Sequence, residues 1–291
     1  MLSRTRPTRG PRPGILGILN ASPESFSGNR FGPDEVGDAA ERLLAEGADL
    51  LDVGAQSLRT DQAELPVEEE VARLLPVLDA VRDRLPTAPI SVDTYRHEVA
   101  AAAVPYGVEL VNDPSGLHDE ALCEVVAEHG LSLVLAHNPG PPKVRRPADL
   151  RPANPVERCL EFLGERLERI VRHGVPRERV LLDPGPDLYK PPDHTIAVLR
   201  AVPELRRELG VQRVLWAVSR KDFIGALLHA PPRERGAGTL GALAALPVED
   251  DDLVRVHDVR STAEFFTVQR AVLRGIEGEL ELADEVRYDP R

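Results

Sequence analysis

The chain has 291 residues, 42% of them hydrophobic and 29% charged, and a formal net charge of −12. That length accommodates two ordinary domains or one α/β barrel, with enough apolar content for a sizeable core. The negative charge excludes non-specific nucleic-acid binding, and no apolar run reaches the ~20 residues of a membrane span. Residues 1–13 hold four arginines and three prolines with no apolar stretch. They are expected to form a disordered arm rather than a signal peptide; with two cysteines and no sign of an oxidising compartment, a cytoplasmic location is expected. Cys123 and Cys159 both fall in helical patterns and read as buried thiols.

Residues 14–20 (GILGILN) form an apolar run ending in Asn20, and residues 34–46 follow with helical spacing up to Gly47. Residues 49–55 (DLLDVGA) give a second strand, and Pro66 opens a long helix. Ile90 to Val92 is a third strand, ending in Asp93; residues 96–106 are alanine-rich and helical. Residues 110–116 and 119–129 repeat the strand–helix unit, and 131–138 is the fifth strand. A proline-rich loop, 139–153, precedes a helix over 155–173. The remaining strands are predicted at 180–185, 214–219 and 253–259. Helices are predicted at 195–209, 222–228, 239–246 and 262–274.

Eight near-continuously apolar strands alternating with helices predict a single-domain (β/α)8 TIM barrel over 14–275, with a tail at 276–291. A doubly wound sheet is the alternative, but eight regular units favour closure. Active sites of such barrels lie at the C-terminal strand ends. There the strands deliver Asn20, Asp93, Asn112, Asp113, His137, Asp183, Arg220, Lys221, Arg255 and His257. Asp93, Asn112 and Asp183 offer acceptors and an amide, which match a flat heterocycle bearing N–H and amino groups. Asn20, Lys221, Arg255 and His257 offer donors for a phosphate or diphosphate.

Gly236 to Gly241 matches G-x-G-x-x-G, but His229 to Arg235 (HAPPRER) precedes it and cannot be the strand a dinucleotide fold requires. No P-loop, H-E-x-x-H or zinc-spaced Cys/His cluster occurs.

Residues 18–27 (ILNASPESFS) resemble the first-strand signature of dihydropteroate synthases. The blocks S-V-D-T-Y (91–95), N-D-P-S-G (112–116), D-P-G (183–185), S-R-K-D-F-I-G (219–225) and R-V-H-D-V (255–259) are similar to the family's later blocks, in order. The resemblance implies an enzyme that condenses 6-hydroxymethyl-7,8-dihydropterin diphosphate with p-aminobenzoate, releasing diphosphate with the help of Mg²⁺. It further implies that Asp93, Asn112, Asp183 and Lys221 hold the pterin. Asn20, Arg255 and His257 would hold the diphosphate, with Asn20 near the metal, and a homodimer is the family expectation. Asp93, Lys221 and Arg255 are the expected catalytic residues.

The departures from the pattern are uneven. The nucleophile side comprises Phe26, Leu58, Arg59, Thr60 and Asp222. There Leu58 and Thr60 stand where the family has threonine and proline, and Asp222 where it has a serine suited to receive a carboxylate. D-P-G-x-G-F-G-K becomes Asp183-Pro184-Gly185-Pro186-Asp187-Leu188-Tyr189-Lys190, losing two glycines and an aromatic residue. Asn138 in Ala136-His137-Asn138 removes an apolar cushion. These changes define a second expectation: a divergent paralogue that binds pterin diphosphate but uses another amine or is inactive. A corrinoid-linked, pterin-dependent methyltransferase is a third, opposed by the cationic residues near Arg255 and Lys221, because methyl transfer leaves no diphosphate to hold.

Overall fold

A computed structural model describes residues 12–20, 33–58, 60–147, 150–276 and 279. The strands are β1 (Gly14–Asn20), β2 (Leu50–Gly54), β3 (Ile90–Asp93), β4 (Leu110–Asp113), β5 (Ser132–Ala136), β6 (Val180–Asp183), β7 (Leu215–Trp216) and β8 (Leu253–Val256). The helices are α1 (Pro33–Glu46), α2 (Val67–Arg84), α3 (His97–Ala103), α4 (Leu122–Glu128), α5 (Pro155–Arg172), α6 (Pro192–Arg200), α7 (Val202–Leu209), α8 (Asp222–Leu228), α9 (Gly236–Ala245) and α10 (Val259–Arg274). All the strand pairs are parallel, in the order β6-β5-β4-β3-β2-β1-β8-β7. An isolated parallel bridge, Leu182 to Val214, joins the two outer strands. The sheet is thus a nearly closed barrel ringed by helices, as the alternation of elements predicts.

Two apolar layers hold it. The larger lies between strands and helices and includes Ile15, Val53, Leu78, Val92, Leu163, Trp216 and Phe266. The smaller fills the bottom of the barrel itself: Leu16, Leu50, Leu110, Val134, Leu181 and Leu215, with Leu253 against them. Each such side chain contributes on the order of 1.5–3 kcal/mol by leaving water.

Prolines correct the element boundaries. The predicted helix over 96–106 is α3 followed by a 3-10 turn, Val104–Tyr106, because Pro105 has no N–H to continue the α-helical ladder. The helix predicted at 195–209 starts three residues earlier and divides at Ala201, where Pro203 opens the first turn of α7. The G-x-G-x-x-G run lies inside α9, preceded by a 3-10 turn and no strand. Both cysteines are free and buried. The arm expected at residues 1–13 falls outside the described residues up to residue 11. Arg12, by contrast, donates to Asp49 at 2.7 Å and to the Gly47 carbonyl at 3.2 Å. Of the tail, 277–278 and 280–291 also lie outside. No described helix is long and apolar enough to cross a membrane.

Strand β7 is much shorter than predicted, and Asp252 compensates at its lower end. Asp252 is 1% exposed. Its carboxylate accepts from Arg206 Nη2 (2.6 Å), Trp216 Nε1 (2.8 Å), the Glu249 amide (2.8 Å) and the Val214 amide (2.9 Å). Its carbonyl accepts from Gly14 N at 2.8 Å. One residue therefore ties α7, β7, β8 and β1. The acidic stretch 247–252, which interrupts the chain before β8, exists to deliver this carboxylate. Asp252→Ala leaves Arg206 with only its pair to exposed Glu249, and takes the acceptor from buried Trp216 Nε1 and the buried Val214 amide. It is expected to cost about 3–5 kcal/mol, read as a lowered midpoint in urea unfolding.

Candidate active site

The period of two along a strand builds the site directly on the apolar floor. In β2, β4, β6 and β8 an inward leucine is followed two residues later by an inward polar group: Leu50–Asp52, Leu110–Asn112, Leu181–Asp183 and Leu253–Arg255. Strand β3 supplies Ser91 and Asp93. Asp52 was not among the residues expected at the site, yet it is the hub. Its Oδ1 accepts from Ser91 Oγ at 2.7 Å. Its Oδ2 accepts from Asn112 Nδ2 at 3.1 Å and from Arg255 Nε at 2.6 Å. The signal was present in D-L-L-D-V-G-A: a carboxylate two residues beyond an inward leucine on a strand buried on both faces.

Arg255 then reaches Asp93, with Nη2 to Oδ2 at 2.6 Å. Its guanidinium, expected at the diphosphate, is thus partly engaged by carboxylates on the pterin half. No described residue binds its Nη1. Burial opposes the Arg255 charge, but Asp52 and Asp93 outweigh that cost and hold it protonated. Asp93 is pushed up to about 7, first by burial and then by nearby Asp52, Glu70 and Asp113, against the pull of Arg255. Gly54 explains how Asp93 fits at the mouth. A Cβ there would stand 3.0 Å from Asp93 Cβ and 3.3 Å from its carbonyl oxygen.

Across the barrel, Asp183 accepts from the Gly185 amide at 2.7 Å. Burial raises its pKa, while Lys221, Lys190 and Arg255 favour its charge. Gly185 has a φ of 64° and sits over the His137 carbonyl, where a Cβ would come within 2.2 Å. Lys190 is buried beneath it and donates to the His137 carbonyl at 2.8 Å; burial lowers its pKa to about 8. His137 packs edge-on against Phe162 and is held neutral by burial and by Lys190. Asp113 serves a turn, accepting from Ser115 N and Oγ and from Leu117 N.

Lys221 is half-buried between Asp183 and Asp187 in charge terms. Ser219 Oγ lies 2.9 Å from His257 Nδ1. His257 stands at the exposed edge, and dehydration of its inner side, then Arg255, Arg220 and Lys221, push it down to about 4. Asn20 ends β1 opposite Gly54, half-buried. The rim thus interleaves the carboxylates and amide of Asp93, Asp183 and Asn112 with the cationic or neutral donors Asn20, Lys221, Arg255 and His257.

The loop after β2, which carries the altered nucleophile-side residues, is tied down by a network that sequence reasoning missed. Arg96 donates to buried Glu70 at 2.7 Å and to Glu64 at 2.6 Å. Thr94 Oγ1 also donates to Glu70, Tyr95 OH to Glu64, and Gln56 Oε1 accepts from Leu65 N at 2.6 Å. Lys143, from the proline-rich loop, donates to the Ser57 carbonyl at 2.6 Å. On this side Leu58 is half-buried and Thr60 exposed; Phe26 and Arg59 lie outside the described residues. Asp222 is exposed and paired with Arg235 at 2.9 Å, so its charge is partly neutralised from within the chain.

A barrel with a ring of acidic and amide groups at its C-terminal mouth defines a binder of polar heterocycles. Residues 16–257 match the family model described as pterin binding enzyme. The chain belongs to that family, and its relatives are dihydropteroate synthases, transferases of folate synthesis. It is 37% identical to the dihydropteroate synthase of Bacillus subtilis, over 89% of this chain and 88% of the relative. It is also 37% identical to "Inactive dihydropteroate synthase 2" of Mycobacterium tuberculosis, over 88% and 82%. The Xanthomonas albilineans dihydropteroate synthase solved with 4-aminobenzoic acid superposes with a TM-score of 0.80 at 36% identity, covering 90% of this chain and 94% of that one.

The raised pKa of Asp93 has a stability consequence. Between the ordinary carboxylate value near 4 and about 7, the unfolded chain has lost this proton while the fold retains it, so stability falls as pH rises through that interval. Asp93→Asn is expected to remove that part of the slope, measured by denaturant unfolding at a series of pH values.

Proposed function

We propose that this chain is a dihydropteroate synthase-type transferase, joining 6-hydroxymethyl-7,8-dihydropterin diphosphate to an aryl amine such as p-aminobenzoate. The observation that carries this reading is the inward polar layer of Asp93, Asn112 and Asp183 facing Lys221, in a barrel of the pterin binding enzyme family. The amine nitrogen forms a bond to the pterin methylene carbon, the carbon–oxygen bond to diphosphate breaks, and the amine loses a proton. Positive charge develops on the pterin side as diphosphate departs. Asp183, buried, and Asp93, half-buried at the mouth, are prearranged to stabilise it. Arg255, His257 and Asn20 supply donors to the departing group, and positioning of the amine supplies the rest.

Mg²⁺ suits the diphosphate end. Asn20 offers one hard oxygen ligand, and this ion is commonly held by few protein ligands together with water and substrate phosphate oxygens. When bound, it would neutralise charge on the leaving diphosphate. A cytoplasmic location accords with two reduced, buried cysteines. A homodimer accords with the apolar stripe on α10, where Val268, Val272 and Leu273 are 63%, 78% and 68% exposed beside an open groove of about 660 Å³. Val272→Glu is expected to convert a dimer to a monomer in light scattering.

The test is incubation with pterin diphosphate, Mg²⁺ and p-aminobenzoate, following dihydropteroate and diphosphate together. Turnover is expected, with Asp93→Asn and Lys221→Ala each lowering kcat/KM by about 10²-fold or more. The divergent-paralogue reading is favoured by Leu58, Thr60 and Asp222 and by the similarity to an inactive mycobacterial relative. It predicts tight pterin diphosphate binding without p-aminobenzoate turnover, and improved use of that amine in Asp222→Ser combined with Leu58→Thr.

A further inference from the structure

The chain has three lysines, and two of them already have a place: Lys221 stands at the rim, and Lys143 ties the proline-rich loop to the loop after β2. Lys190 is the third. It is buried, and among the described residues its hydrogen-bond partners are two backbone carbonyls rather than a carboxylate. An ammonium out of water and without a carboxylate against it is costly to keep. The geometry around it shows what that cost maintains. Strand β5 meets β6 with Ala136 opposite Asp183, and the ladder ends where the His137 amide donates to the Asp183 carbonyl at 2.8 Å. The next acceptor along β5, the His137 carbonyl, is taken by Lys190 Nζ at 2.8 Å. The same ammonium donates to the Leu188 carbonyl at 3.0 Å. The Leu188 amide donates to the Gly185 carbonyl at 3.0 Å and closes a turn. Gly185 lies against both groups: a Cβ there would stand 2.2 Å from the His137 carbonyl oxygen and 3.2 Å from Lys190 Nζ. The Gly185 amide is the donor to Asp183 Oδ1, at 2.7 Å.

We propose that Lys190 is a positioning residue for Asp183: its ammonium clasps the end of β5 to the turn after β6, fixes the Gly185 amide on the Asp183 carboxylate, and sets a buried positive charge near it. The inference deepens the transferase reading and rests on it for the identity of the ligand that Asp183 meets. Burial opposes the charge of Asp183; the Gly185 amide, then Lys221, Lys190 and Arg255, favour it. Lys190 thus acts on Asp183 both through the amide that it holds in place and through its own charge. Of the three cations, Lys221 and Arg255 are only half-buried, whereas Lys190 is buried and held by backbone oxygens. The groups that face Lys190 are few. Burial disfavours its charge; Cys159 of α5, Asp183 and Asp187 favour it, and Lys221 opposes it. Burial keeps the Cys159 thiol protonated, with its pKa pushed up to about 12, and keeps the His137 ring neutral. The charge of Lys190 is therefore balanced by Asp183 first and by Asp187 after it.

The experiment compares Lys190→Met, which removes the charge and the donors, with Lys190→Arg, which keeps both. The carboxyl carbons of aspartate are isotope-labelled in the full chain, the Asp183 signal is assigned by its loss in Asp183→Asn, and its titration is followed by NMR. Pterin diphosphate binding in the presence of Mg²⁺ is measured by calorimetry over the same pH range. In Lys190→Met the Asp183 carboxyl is expected to titrate at higher pH than in the unsubstituted chain, because a neighbouring cation and a fixed amide donor are both lost. Pterin diphosphate affinity is expected to fall by about tenfold or more, and the acid limb of binding to move to higher pH. Lys190→Arg is expected to restore the titration and most of the binding. Melting temperatures establish that the variants are folded; if the methionine variant does not fold, Lys190→Gln takes its place, neutral but able to donate to a carbonyl. An Asp183 titration that stays in place in the folded neutral variant, or an affinity unchanged within about twofold, overturns the proposal, and a lowered melting temperature alone does not rescue it. If the unsubstituted chain fails to bind pterin diphosphate, the transferase reading falls, and the carboxyl titration, which needs no ligand, still decides the role of Lys190.

Discussion

Arg255 carries two carboxylates, Asp52 and Asp93, in the middle of a barrel whose floor is leucine. The polar layer exists because of it. Two carboxylates from adjacent strands, both largely out of water, repel each other and cannot remain charged there without a cation within hydrogen-bonding reach. Burial still outweighs the attraction at Asp93, which is why its proton is held to about pH 7. Asn112 and Ser91 complete the acceptors of Asp52, so the hub is rigid from four strands.

Support for that layer comes from opposite ends of the molecule. Below it, the inward leucines make a dry floor, and Asp252 gathers four donors where β7 is too short to close the barrel by its own ladder. Above it, Arg96 and Lys143 tie the loop after β2 to its neighbours through carboxylates and a carbonyl. Stability is concentrated at the N-terminal ends of the strands, and chemistry at the C-terminal ends. The division is physical: at the lower end the buried charge of Asp252 is neutralised within the chain by Arg206, whereas at the mouth the polar groups open toward solvent.

The two halves of the rim differ in how far they follow the family. Asp93, Asn112, Asp183 and Lys221 fall in blocks that keep the family's pattern, and the strands and the loop after β7 bring them to the barrel mouth. The loop after β6 keeps a glycine-like backbone without the glycines, and its aspartate is held by the Asp222 and Phe223 amides. The change at residue 187 and the change at residue 222 are therefore one event in space, since the amide of one binds the carboxylate of the other.

By itself the sequence determined the number and order of the βα units, because strands buried on both faces must be apolar and each crossover needs a helix. It also determined which polar residues stand at strand ends, including Asp93 and Asp183, because a strand that ends at a barrel mouth must turn there. Only the tertiary structure decided the partners of those residues. Asp52 joined the site, Arg255 turned toward it, and Asp222 was matched by Arg235, all through contacts between strands and loops distant in the chain. Hydrogen bonds of that kind depend on which side chains the closing barrel brings within about 3 Å, and no local pattern encodes that distance.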